Sequence, residues 1–428
     1  MLFVALRGQN FDGHGFLGDA VARGAAAVMV DARGASAAPT GVPALVVEDT
    51  TATLAVLARI HRERFDIPVI AVGGSNGKTT TKDMLARVLA ERYAVHATRG
   101  NLNNQIGVPQ TLFGIDRTHG AVVVEVGTNH PGELAALCKM VRPTHALLTN
   151  IGHEHLEFFG SLEGVMEEEA MLWRSADHGN EPMVFVNADD PLSLTAVGSR
   201  KKTITFGFSR RGVRVRGQSL RLNDRGCAVF RFVGGRARKP AKVVLGVPGL
   251  HNAQNALAAI AVGLALGVPV TAVVKALEGF TASSKRMEVL MVGGVTVLND
   301  TYNANGDSAI AALTTLAAAA TTGKRIAVLA DMLELGEQSA SEHSRVGAQA
   351  AALGIDYVLT YGKWAVEISR AATGCETVHY DQKNILAEYL AELVAPGDVV
   401  LVKGSRGMAM EDIVTFLQQR LGVKTPDA

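Results

Sequence analysis

Two kinds of hydrophobic pattern alternate along the chain: short uninterrupted apolar runs, and longer stretches with apolar residues every three or four positions. Residues 67–73 (IPVIAVG) form a run that enters a glycine turn, and residues 79–93 carry the spacing and helix-forming residues of a helix. Apolar runs at 121–126, 145–150 and 183–187 follow. They are separated by segments long enough for crossover helices, which predicts a mostly parallel sheet. Over residues 201–247 the pattern changes to short strands (TITFGF, CAVFRFV) punctuated by Arg and Gly, predicting an antiparallel appendage, and a helix is predicted over 251–266.

At the start of the chain, β-type runs at 2–6 and 44–47 flank an Ala-rich helical segment at 17–27, predicting a small α/β unit. After residue 280 the alternation restarts with VTVLND, KRIAVLAD, DYVLTYG and DVVLVKGS, each followed by a helical stretch, the last over 409–421. A third, open α/β domain is the economical reading. The fold class is therefore α/β, with domains expected at 1–66, 67–282 and 283–428. The Ala-rich stretch 311–320 reads as a tightly packed helix, and there is no internal repeat.

A chain of 428 residues that is 48% hydrophobic has apolar side chain for more than one core. Its 42 Lys and Arg balance 41 Asp and Glu, so no global field favours nucleic acid or an anionic membrane, and any anion binding must be local. Cys138, Cys227 and Cys375 are far apart, without CxxC spacing, which argues against a disulfide framework or a zinc site and fits a reducing compartment. The opening MLFVALRGQNFDGH lacks the features of a signal peptide, and no stretch has eighteen apolar residues in a row. A cytoplasmic location without membrane insertion is expected.

The chemistry begins at Gly73-Gly74-Ser75-Asn76-Gly77-Lys78-Thr79-Thr80, where a strand hands over to a helix, the setting a phosphate loop requires. Glycines let backbone N–H groups converge on phosphate oxygens, and the helix N-terminus adds about half a positive charge. Lys78 is placed to reach the outer phosphates and the Thr79 hydroxyl to hold Mg2+. Val72 stands five residues before Gly77, so the loop is shorter than GxxxxGK[ST]. A metal–nucleotide site also needs a carboxylate at the end of a neighbouring strand, and Glu125 in AVVVEVG is the first candidate. The stretch NIGHEHLE over 150–157 crowds His and Glu at another strand end; it suits a metal or phosphate neighbourhood and is equally a surface loop, but HExH is too short for a zincin. Asn101 to Gly107, with Asn103 and Asn104, reads either as a polar substrate contact or as a turn, and Asn187 to Asp190 is similarly open.

With those residues in place, the chain resembles the Mur ligase family. LFVALRGQNFDGHGF, GGSNGKTTTK, TRGNLNNQIGVPQTLF, EVGTNHPGEL, NIGHEHLEFFGS, NADDP, HNAQNALAA, LNDTYNAN, DMLELGEQSASEHSRVG and KGSRGMAMED occur in family order over nearly the whole chain. The resemblance implies a small N-terminal α/β domain that binds a UDP-sugar, a central P-loop ATPase domain and a C-terminal Rossmann-like domain. It implies ATP and Mg2+ as cofactors. UDP-N-acetylmuramoyl-tripeptide and D-alanyl-D-alanine would be the substrates, joined through an acyl phosphate by a monomer. Carried over by motif, Gly74, Ser75, Asn76, Gly77, Lys78, Thr79 and Thr80 would cradle the nucleotide, while Thr79, Glu125 and His155 would serve the metal. Asn255 of HNAQN would contact adenine, Asp300 of NDTYNAN the ribose, with Asn303 also binding the cofactor, and Arg286 would swing onto the γ-phosphate. Asn103, Asn104, Lys403, Ser405 and Arg406 would face the substrates.

Several positions depart from the family pattern. A carbamylated lysine usually follows HLExFGS, yet no lysine lies between Lys139 and Lys201, and Glu169 stands at its position. Glu169 is expected to supply the carboxylate in its place. The stretch containing Ser-Arg that usually precedes LFVAL is missing, which implies a shortened start or altered UDP recognition. Gly306 follows YNAN where the family prefers proline, and Ala330 precedes DMLELG in place of glycine; both changes bear on loop stiffness. The alternatives are a related ligase with a different amine substrate or a non-ligating ATP-binding regulator. The absence of a DNPR-like motif counts against a diaminopimelate-adding enzyme, and the lack of NKxD against a GTPase.

Overall fold

The computed structural model describes residues 1–8, 11–179, 182–198, 202–235 and 237–422. The first unit holds strands β1 (Leu2–Val4), β2 (Ala27–Asp31) and β3 (Ala44–Val47) in a parallel sheet of order β1-β2-β3, with helices α1 (Leu17–Ala22) and α2 (Thr50–Arg62). The Ala-rich helix expected to reach residue 27 stops at Ala22. Gly24 takes a left-handed φ of 92°, and the chain reverses into β2, a strand the composition of AAAV concealed. Asp49 caps α2 by accepting from the Thr51 and Ala52 amides.

A nine-stranded sheet follows. Its parallel part contains β4 (Val69–Gly73), β5 (Val95–Ala97), β6 (Ala121–Glu125), β7 (His145–Leu148), β8 (Met183–Asn187) and β9 (Thr203–Gly207); β10 (Val215–Leu222), β11 (Cys227–Gly234) and β12 (Ala237–Pro248) complete it. The order is β12-β11-β10-β9-β8-β7-β4-β6-β5. β4 is buried along its whole length because helices cover both faces. The helices of this unit are α3 (Lys78–Ala90), α4 (Gly107–Phe113), α5 (Glu133–Val141), α6 (Leu156–Phe159), α7 (Leu162–Arg174), α8 (Pro191–Val197), α9 (His251–Ala265) and α10 (Val270–Glu278), with α3 and α7 packing against β4. The antiparallel appendage is smaller than expected. TITFGF, as β9, pairs parallel with both β8 and β10, and only β10, β11 and β12 pair antiparallel. The apolar run of β9 carries no sign of which neighbour it meets. Lys201, where that segment was expected to start, lies outside the described residues.

The third sheet has the order β13-β14-β18-β15-β16-β17. Its strands are β13 (Glu288–Val292), β14 (Val295–Asp300), β15 (Arg325–Ala330), β16 (Tyr357–Tyr361), β17 (Glu376–Tyr380) and β18 (Val399–Lys403). Helices α11 (Gly306–Ala318), α12 (Ser339–Ala352), α13 (Val366–Ala371), α14 (Lys383–Leu393) and α15 (Glu411–Leu421) connect or follow them. β13 forms an antiparallel hairpin with β14 through Gly293 and Gly294, both at positive φ, as a tight two-residue turn demands. One apolar cluster runs from α5 and α7 through Leu298, Ala304 and Leu313 to α12, so the second and third sheets share a core. No described helix is long and apolar enough to cross a membrane.

Candidate active site

The phosphate loop leaves the C-terminal end of β4 and closes on the first turn of α3. Gly74 and Gly77 take φ of 113° and 81°. A Cβ on Gly74 would lie 2.3 Å from Thr149 Oγ1, and one on Gly77 2.4 Å from Asn255 Oδ1, so only glycine fits either position. The loop is braced from behind at every step. Gly74 N donates to Glu169 Oε2 (3.0 Å), Ser75 N to Asn150 O (2.9 Å), and Asn76 N to Asn150 Oδ1 (3.1 Å), while the Thr149 hydroxyl donates to Asn76 O (2.6 Å). Lys78 donates to Gly74 O (2.5 Å) and faces Glu154 Oε2 at 3.3 Å. Burial works against its charge, but Glu154, Glu169 and Glu125 outweigh burial and hold its pKa above the usual lysine value.

Glu125, at the end of β6, is almost fully buried. Its Oε1 accepts from the Thr79 hydroxyl (3.0 Å) and from Asn103 Nδ2 (2.9 Å), and its Oε2 has no partner in the protein. Glu154 Oε1 is likewise buried without a partner. Two orphaned carboxylate oxygens and a hydroxyl beside a lysine at a helix N-terminus are a donor set suited to a hard divalent cation carried in with phosphate.

These groups open onto a cavity of 1190 Å³ bounded by the phosphate loop, residues 101–106 and 127–137, the start of α9, and the strand ends of the third sheet. Ser75, Asn76, Gly77, Thr79, Thr80 and Asn255 line it from the middle sheet, and Arg286, Asp300, Asn303, Lys403, Ser405 and Arg406 from the other side. The sequence therefore picked out two walls of a single cleft. Gly74 and Glu169 are the exceptions: both sit behind the lining.

Some expected contacts are already committed elsewhere. Asn104 Oδ1 accepts from the Ile106 and Gly107 amides, so this side chain closes the turn that leads into α4. Asp300 accepts from Lys403 Nζ (2.7 Å) and the Met287 amide (3.1 Å), and Lys403 also donates to Asn303 O (2.8 Å). Ser405 accepts from the Leu333 amide and donates to Ala304 O. Lys403 and Ser405 thus tie the strand ends of the third sheet together, while the exposed Arg406 remains at the mouth, 5.9 Å from the Tyr302 ring. Arg286 lies flat over that same ring at 3.8 Å.

The metal set expected from sequence is not gathered. Among the described residues no three His, Cys, Asp or Glu side chains converge as a metal site. His155 adopts a left-handed φ of 49°, and its Nδ1 pairs with Glu334 Oε2 of the third sheet at 2.5 Å, a contact that lowers the Glu334 pKa. Glu169 spends Oε2 on Gly74. Burial and the neighbouring Glu154 push its pKa up to about 8, against Lys78 and the Gly74 amide.

Four residues were missed by the sequence reading. Glu154 sits inside NIGHEHLE, where His155 drew the attention. Glu168 accepts from Gly132 N (2.8 Å), Leu134 N (2.8 Å) and the Thr128 hydroxyl (3.2 Å), pinning the cleft wall 127–134. Asn305 caps α11 and donates to Asn76 Oδ1 (3.0 Å). Asp307 accepts from the His153 amide (3.0 Å) and Arg345 (2.8 Å). The acidic first turn of α11 was a visible signal for Asp307, and the motifs NIGHEHLE and NDTYNAN enclose Glu154 and Asn305; nothing local marked Glu168.

The phosphate loop, the orphaned carboxylates and the two-walled cleft define a nucleotide-dependent group-transfer site, and the comparisons agree: the chain belongs to the Mur ligase family. Residues 72–263 match the Mur ligase middle domain and residues 285–406 the Mur ligase, glutamate ligase domain. The UDP-N-acetylmuramoyl-tripeptide–D-alanyl-D-alanine ligases of Bacillus subtilis and Escherichia coli are 34% and 35% identical to it, over 97% and 98% of this chain and 90% and 91% of theirs. Among solved structures, MurF from Acinetobacter baumannii superposes with a TM-score of 0.88 at 32% identity, covering 98% of this chain and 90% of that one. MurF from Thermotoga maritima in complex with ADP gives 0.87 at 29% identity, covering 98% and 95%.

Proposed function

We propose that this chain is the ATP-dependent, Mg2+-requiring ligase that joins D-alanyl-D-alanine to UDP-N-acetylmuramoyl-tripeptide in peptidoglycan precursor synthesis. The observation that carries the reading is Glu125, buried at the cleft floor, with one oxygen held by Thr79 and Asn103 and the other left open beside the phosphate loop.

In this reading Gly74 to Thr80 cradle the triphosphate of ATP, with Lys78 neutralising its outer charge. Thr79, Glu125 and Glu154 would hold Mg2+, which supplies charge neutralisation on the transferring phosphoryl group. His155 acts through Glu334 to bring the third sheet against the phosphate loop, and Glu169 supports that loop from behind. Asn255 serves the adenine end, Asp300 and Asn303 the ribose side, and Arg286 leaves Tyr302 for the γ-phosphate. Residues 1–66 bind the UDP-sugar, 67–282 the nucleotide, and 283–428 bring the amine, with Asn103 on one wall and Arg406 on the other. Activation of the tripeptide carboxylate as an acyl phosphate needs positioned reactants and a water-poor cleft, and no protein nucleophile. The enzyme is assigned to the cytoplasm as a monomer.

A substrate-matrix assay tests the assignment. ADP release and product mass should both require the UDP-linked tripeptide and D-alanyl-D-alanine together. ADP release indifferent to both substrates, or a product built with another amine, refutes it.

A further inference from the structure

The chain as a whole is nearly neutral, but its charge is strongly segregated. Between positions 200 and 242 there are 14 Lys and Arg and a single acid, Asp224, while the rest of the chain has 28 basic against 40 acidic residues. Strands β10 to β12 place four of these cations on one side. Val215, Phe230, Phe232 and Val243 pack on the core that includes α9, so the alternate residues Arg216, Arg221, Arg231 and Lys242 share the opposite face. Arg231 and Lys242 are direct cross-strand partners, and both are exposed. Like charges in that arrangement disfavour the sheet. Arg210, before β10, and Arg225, between β10 and β11, are exposed in the adjoining turns. Among the described residues none of these six side chains is in an ion pair, and Arg216 Nε is buried without a hydrogen-bond partner.

We infer that this face is a docking surface for an anionic phospholipid bilayer. The geometry selects the partner. The residues between the cations on this face, Gln218, Val229 and Val244, include no aromatic on which nucleic-acid bases could stack, and the face is the broad outer side of a three-stranded, bulged sheet whose inner side is packed, not a single helix or ribbon that could enter a groove. A planar array of phosphate headgroups meets it without either requirement. The acidic remainder of the molecule would be repelled by the same surface, which fixes the orientation. β11 lies five strands from β4, about 24 Å along the sheet, so the cleft stays open when the face is docked.

Co-sedimentation of the full chain with vesicles tests this. It should bind phosphatidylglycerol-containing vesicles, ignore pure phosphatidylcholine, and release as salt is raised. Replacing Arg216, Arg221, Arg231 and Lys242 by Gln should weaken that binding at least ~10-fold with ligase turnover in solution unchanged. If that variant fails to fold, the exposed pair Arg231→Gln and Lys242→Gln should still give a measurable loss. Equal binding to both vesicle types, no binding at low salt, affinity unaltered in the variants, or tighter binding to an RNA oligonucleotide that displaces the vesicles would each overturn the inference.

Discussion

Replacing Glu168 by Ala should unsettle a wall of the cleft that Glu168 itself does not reach. Its carboxylate takes the Gly132 and Leu134 amides at 2.8 Å each and the Thr128 hydroxyl at 3.2 Å. Leu134 is fully buried, so its N–H would be left without solvent, at a cost of about 1–3 kcal/mol. Gly132 is exposed and can recover water, which limits its loss to about 0.5–1.5 kcal/mol. Thr128 retains His130 O at 3.0 Å and adds little. The sum is about 3 kcal/mol of global stability, read by urea denaturation of wild type and variant. Because Thr128, Asn129, Pro131 and Gly132 line the cavity, substrate KM should rise as well. Glu168→Gln keeps one acceptor oxygen and should lose about half as much. A Glu168→Ala variant within about 0.5 kcal/mol of wild type, with unaltered KM, would refute the pinning argument.

Three further outcomes follow from other contacts. Lys78→Ala should lower kcat by about 100- to 1000-fold, measured as ADP release under saturating ATP. Burial pushes the His145 pKa down to about 4, so the folded protein resists protonating it. That contribution is complete above about pH 6.5 and is lost as pH falls towards 4. Wild type should accordingly lose about 2 kcal/mol more than His145→Gln between about pH 7.5 and about pH 5 in urea titrations, and parallel losses would exclude it. Asp307→Ala should speed amide exchange at His153 and limited proteolysis between the second and third sheets, since it removes the acceptor for His153 N and leaves Arg345 held by Glu342 alone.

What the sequence disclosed follows from which interactions are local. β4 with its glycine turn and α3 was legible because apolar run, loop and helix are contiguous, and β3 and β8 fall on the predicted residues. β2 was hidden because Ala25 and Ala26 suit a helix as well as the approach to a strand, and only the reversal at Gly24 decides. β9 was read as part of the antiparallel appendage because sheet order is a non-local property. At the site, motifs located both cleft walls, yet side-chain allegiance depended on distant partners. His155 is claimed by Glu334 across 179 positions, Lys403 by Asp300 across 103, and Glu169 by Gly74 across 95. Glu168 and Glu169 look alike in sequence, but adjacent helical positions point in different directions, so one supports the cleft wall and the other the phosphate loop.

Tyr302 serves two guanidinium groups at once, Arg286 at 3.8 Å and Arg406 at 5.9 Å from the ring centre. Arg406 is also held by Glu411 at 3.1 Å, whereas among the described residues the Arg286 side chain has no ion pair and rests on the ring. The side chain proposed to migrate onto a phosphate is thus detained by an aromatic face and by no carboxylate, and the phenol acts as a berth rather than an anchor.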